Sequence, residues 1–185
     1  EKYLSKLCFV EPENLYYKLL LSTISLANEN FLQGFSLLEN RLYLFPEKYP
    51  VKPIPFWKGE NRKYKSIVIF GEQGFGDCFM YARFIKQLEK QFDKIDLCVS
   101  ESLVNIFKNS NLGINNVFSN GNIYDYDCCC YICSLPSLLN IKNTGEISSY
   151  YKYFNYQNNI FDNKKLKIGI CLNGRMDTEF EKSRA

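Results

Sequence analysis

Apolar positions along the chain change period several times, and each change predicts an element. Between residues 13 and 45 the spacing is helical. Leu15, Leu19, Ile24 and Leu26 lie close to a 3.6-residue period, and Phe31, Phe35, Leu38 and Leu42 recur at i, i+4, i+7 and i+11. Asn28-Glu29-Asn30 separates the two runs, so the pattern predicts an αα-hairpin. Gly34 inside the second helix costs about 1 kcal/mol relative to Ala, which points to close packing against the first. From 46 to 65, Pro46, Pro50, Pro53 and Pro55 forbid a helix and favour extended chain. Trp57 is expected to pin this linker onto the next domain.

From 66 onward short apolar runs alternate with helical ones. SIVIF (66–70), KIDLCVS (94–100), NNVFS (115–119), DCCCYIC (127–133) and KLKIGICLNG (165–174) read as strands. Residues 77–90, with Met80, Phe84, Ile85 and Leu88 on one face, and 101–110, with Ser100 as its cap, read as helices. Ser134 is placed to cap a short helix through Leu139. Strands alternating with helices predict βαβ units and a parallel sheet, a Rossmann-like α/β fold. The organisation expected is a helical segment (1–45), a Pro-rich linker (46–65) and a Rossmann-like domain (66–185).

Composition then narrows the chemistry. The 185 residues contain no histidine, so neither a Ser-His-Asp triad nor a His-ligated metal can be assembled within them. A general base must be Asp, Glu, Lys, Tyr or Cys. The net charge of +3 comes from scattered lysines, with five arginines, which argues against a nucleic-acid reader. Of the eight cysteines, Cys98, Cys128, Cys129, Cys130 and Cys171 fall inside apolar runs. Reduced, buried thiols in a cytoplasmic protein are the expectation. Cys130-x-x-Cys133 is a poor metal pair, because residues 130 and 133 of a strand point to opposite faces. No metal or cofactor is expected, and no stretch of 18 apolar residues is present.

The stretch that carries chemistry is SIVIF-GEQGFGD-CFMYARF, residues 66–84: a strand, a glycine-rich turn and a helix. Gly71, Gly74 and Gly76 are expected to allow unusual backbone conformations and close approach of a ligand to the main chain. The turn opens a helix N-terminus, which favours negative charge. Its G-x-x-G-x-G spacing fits neither the dinucleotide fingerprint nor the P-loop. Asp77 is either an N-cap carboxylate or a general base facing a ligand, and spacing leaves the choice open. Glu72 and Gln73 could hydrogen-bond sugar hydroxyls or simply face solvent. Arg83 is read as a salt-bridge partner, and Tyr150, Tyr151, Tyr153 and Tyr156 as packing residues.

Trp57-x-Gly59-Glu60, the GEQGFGD turn with YARF after it, and the run from Asp127 to Pro136 together resemble bacterial TPR-containing glycosyltransferases. These are related to the ADP-heptose:lipopolysaccharide heptosyltransferases and have the GT-B architecture. FLQGFSLLENRL is similar to the TPR-like helix that precedes the domain. The resemblance implies a TPR-like hairpin in front of an N-terminal, acceptor-side GT-B domain, with the C-terminal donor domain missing. It assigns Asp77 as the base that deprotonates an acceptor hydroxyl. Gly71, Glu72, Gln73, Gly74, Phe75 and Gly76 shape the acceptor-side loop, and Arg184 falls near the residue that meets donor phosphates. The implied partners are a nucleotide-sugar donor and a saccharide, lipid-linked or protein acceptor. Transfer would be inverting and metal-independent. The 185 residues alone, either a shortened chain or a natural half-enzyme, are expected to be inactive. The alternative is a non-catalytic module that docks a protein through the hairpin. An NAD-type binder is disfavoured by the glycine spacing.

Overall fold

The computed structural model describes residues 2–61, 63–147 and 153–154. Four parallel strands form the sheet, in the order β3-β2-β1-β4: β1 Ser66–Phe70, β2 Lys94–Cys98, β3 Asn116–Phe118 and β4 Cys128–Tyr131. Ile67 pairs with Ile95 on one side and Cys128 on the other, so β1 is central. Alternation along these strands sends side chains to two faces. Ile67, Ile69, Ile95, Leu97, Cys128 and Cys130 join the larger core with residues of the crossover helices. Val68, Phe70, Cys129 and Tyr131 face a smaller core closed by Ile54 and Tyr126. Burying each such aliphatic side chain stabilises the fold by about 1.5–3 kcal/mol.

The linker serves as a fifth, edge-covering segment. Cys129 N–H donates to Pro55 O (2.9 Å) and Trp57 N–H to Cys129 O (2.8 Å), which pairs Phe56 in parallel with β4. Trp57 is 2% exposed and its Nε1 donates to Glu60 O, so it does pin the linker. In the same motif Gly59 has φ +86° and sits against the carbonyl of Leu138.

Four helices precede the sheet. The hairpin pairs α2 (Leu15–Ala27) with α3 (Phe31–Leu38). The buried residues of α2 are Leu21, Ser22 and Ser25, and of the predicted stripe Leu26 meets α3. Small side chains there let α3 come close: a Cβ on Gly34 would stand 2.6 Å from Leu26 Cγ. Phe35 enters the larger core and meets Phe84 edge-on, so the hairpin and the sheet share one interior. The helix α1 (Lys2–Val10), which the apolar spacing did not predict, buries none of its residues. The second helix of the hairpin also ends early. Asn40 Nδ2 donates back to Leu37 O, competing with the helical ladder, and the chain restarts as α4 (Arg41–Leu44).

Further departures cluster near the turn. The helix after it, α5, runs Phe75–Ala82, two residues earlier than expected, and breaks at Arg83 into a 3₁₀ segment, Ile85–Lys90. Met80, placed on the apolar face by periodicity, is half exposed. Strand β4 stops at Tyr131, and Cys133 lies in a 3₁₀ turn that returns it to the same core as Cys130. The opposite-face argument therefore fails for this pair. The helix α6 spans Glu101–Lys108, two residues shorter than expected, and Ser100 stands at its N-cap position without a side-chain capping bond. Ser134 precedes the short α7 (Leu135–Leu138) without capping it. The strand expected at 165–174, Cys171, Tyr150, Tyr151, Tyr156 and Arg184 lie outside the described residues.

Candidate functional site

Strand order reverses between β1 and β4, and the crevice beyond the carboxyl ends of such neighbours is where open α/β sheets take ligands. The turn that leaves β1 and the turn that leaves β4 meet there. Gly71 extends the pairing by one residue, its N–H donating to Cys98 O (2.8 Å). Its lack of a side chain answers a packing need: a Cβ would lie 2.8 Å from Val99 Cγ1 and 3.2 Å from Cys78 Sγ.

Glu72 does not face solvent. It is 8% exposed, and Arg41 grips it in a fork, Nε to Oε2 at 2.9 Å and Nη2 to Oε1 at 2.6 Å. Cys133 N–H also donates to Oε1 (2.9 Å). Arg41 completes its set with Glu39 Oε1 (2.7 Å), Leu38 O (3.2 Å) and Ser134 Oγ (2.9 Å). All five guanidinium donors are thus used. Burial alone would lower the Arg41 pKa, but the bonds and charges of Glu72 and Glu39 outweigh it and raise it. Both oxygens expected to meet sugar hydroxyls are instead spent on tying the hairpin to the turn.

Gln73 takes the left-handed conformation of the turn, φ 62°, and none of Gly71, Gly74 or Gly76 does. The expectation of unusual glycine backbone is corrected on this point. The Gln73 Nε2 donates to Tyr49 OH (3.0 Å), which tethers the turn to the linker.

Gly74 is the N-cap of α5, with φ −100° and ψ 174°. Asp77 is therefore the third helical residue rather than the cap, and its Oδ2 accepts the Gly74 N–H at 3.1 Å. This is the carboxylate half of a capping box. The carboxylate is half-buried beside open space: a Cβ on Gly76 would meet nothing within 4 Å, and Phe75 next to it is 55% exposed. The first helical N–H groups, of Phe75, Gly76 and Asp77, have no intrahelical acceptor by construction of the helix.

The rest of the neighbourhood is inert. Burial pushes the thiols of Cys129 and Cys128 up to about 11 and about 12, and those of Cys130, Cys133 and Cys78 also rise, so all five stay protonated at neutral pH. Asp127 ties the starts of β1 and β4, its Oδ2 accepting from Lys65 N–H, Ser66 N–H (both 2.9 Å) and Ser66 Oγ. Tyr153 OH donates to Phe79 O (2.7 Å), a packing role. Arg83 has its Nε buried without a hydrogen-bond partner among the described residues. Among those residues, no three Cys, Asp or Glu side chains gather to hold a metal, and no helix is long and apolar enough to cross a membrane.

Sequence reasoning missed Arg41, Glu39 and Tyr49. The available signal for Arg41 was its place between Leu38 and Leu42 on the apolar stripe, where an arginine needs a buried partner. No family model matches the chain, and no curated protein or solved structure gives a significant match.

Proposed function

We propose that the chain is the acceptor-side part of a glycosyltransferase, with Asp77 as the base. The acceptor hydroxyl gives its proton to the Asp77 carboxylate as its oxygen bonds to the anomeric carbon of a nucleotide-sugar. The bond from that carbon to the nucleoside diphosphate breaks, and inversion results. The donor is held by a second, donor-binding domain. The observation that carries this reading is the open space over Gly76 next to Asp77. Gly76 is required neither by positive φ nor by a packed neighbour, so its small size leaves room for a ligand at a helix N-terminus. The cap engages Oδ2 of Asp77 and leaves Oδ1 for the hydroxyl.

The test is a transfer assay on the full-length gene product across nucleotide-sugars. Asp77→Asn should lower kcat about 10²–10⁴-fold while costing at most about 1 kcal/mol of stability. Unchanged turnover by a folded Asp77→Asn variant would remove Asp77 from the chemistry. The second reading, a docking module, is favoured by one observation. Phe9 (88% exposed), Tyr3, Val10 and Tyr16 leave apolar side chains on α1 and the start of α2 in water. A protein with no transferase activity on any donor would leave that reading in place.

A further inference from the structure

A hollow of about 570 Å³ opens on the other side of the Arg41 cluster, between α4 with the chain after it and the β4 edge. Its size falls in the range of small-ligand sites, and its walls have the usual makeup of such sites: mostly apolar with few polar groups. Tyr131 centres the aromatic wall, with the Tyr49 ring at 5.1 Å and the Phe56 ring at 5.6 Å. Leu42 and Leu138 add aliphatic surface, and the polar end is Glu39 with Ser134. Asp77 does not line the hollow, so a ligand bound here is separate from sugar transfer.

Charge at the polar end is unbalanced. Glu39 and Glu72 share the single guanidinium of Arg41, whose donors are all taken. The Glu39 side chain keeps 26% of its exposure, and burial raises its carboxyl pKa, with Arg41 only partly offsetting it. Lys58, exposed at the rim, forms no ion pair with Glu39 among the described residues. A ligand that brings one cation to Glu39 and lays a ring against Tyr49 and Phe56, the partly exposed rings beside Tyr131, satisfies both ends, by ion pairing and by ring contact. The geometry points to a binding site for a small arylalkylamine: an aromatic ring joined by a short chain to a primary ammonium.

The probes are phenethylamine, 2-phenylethanol and phenylacetate, titrated into the ¹⁵N-labelled chain at one pH and ionic strength. The amine should give saturable amide shifts at Glu39, Ser134 and Leu138, and bind about tenfold tighter than the alcohol, with the acid weakest. Glu39→Gln should abolish the preference of amine over alcohol. Val51→Trp, at a rim residue 93% exposed and therefore safe for folding, should weaken all three. Equal affinity for amine and acid in the unaltered protein overturns the proposal, as do shifts that map elsewhere or no saturable binding.

Discussion

The two halves of the glycine turn behave oppositely. In Gly71–Glu72 every group is committed: the glycine is pressed against Val99 and Cys78, and the carboxylate is locked to Arg41 and Cys133. In Gly74–Asp77 one carboxylate oxygen caps the helix and the space above Gly76 is empty. Two acids on one short turn thus have different work. Glu72 holds the hairpin to the sheet, and Asp77 stands at a surface a ligand can reach.

Removing the lock should give the largest effect. Arg41→Ala leaves Glu72 buried and unpaired, so it should cost about 3–5 kcal/mol, read by urea denaturation. Arg41→Met with Glu72→Gln and Glu39→Gln removes all three charges of the cluster and keeps an acceptor for Cys133 N–H, and should recover most of that loss. A smaller loss, about 1–3 kcal/mol, is expected for Gly71→Ala, whose new methyl meets core atoms. Gly76→Ala inverts the sign. It sits at the second helical position in open space, and should stabilise by up to about 1 kcal/mol while obstructing the ligand surface. If thermal melts showed the two alanine variants equally destabilised, the contrast between the halves would be lost.

The smallest effect is electrostatic. The N–H groups of Ser66 and Lys65 hold the exposed Asp127 carboxyl below its ordinary value. Its contribution is therefore present above the unfolded pKa and lost as pH falls through the lower folded one. Asp127→Asn should lower stability slightly at neutral pH, change it less in strong acid, and so flatten the acid limb of the profile. Stability measured from pH 7 down to 2 checks this.

What was legible in the sequence was what one segment decides by itself. SIVIF and the cysteine run declare buried strands by continuous apolarity and KIDLC by alternation of apolar and charged positions, and the strand-turn-helix order places the turn at the sheet edge. Pairings between distant segments were not legible. Arg41 and Glu72 are 31 residues apart, and nothing local marks either as the other's partner. The break at Asn40 depends on one side-chain hydrogen bond, and the return of Cys133 to the core depends on where β4 stops. The glycines were visible as letters, but whether each one faces a neighbour or open space required coordinates. For that reason Glu72 was grouped with the ligand-facing residues when its surroundings give it a structural task.

The central claim, that the open half of the turn receives a hydroxyl-bearing ligand, is tested most directly by amide NMR of the chain titrated with a panel of neutral saccharides. Saturable shifts should centre on Phe75, Gly76 and Asp77 and disappear in a folded Gly76→Ala variant. Shifts that survive that substitution, or a panel in which no saccharide perturbs these three amides, would contradict the claim.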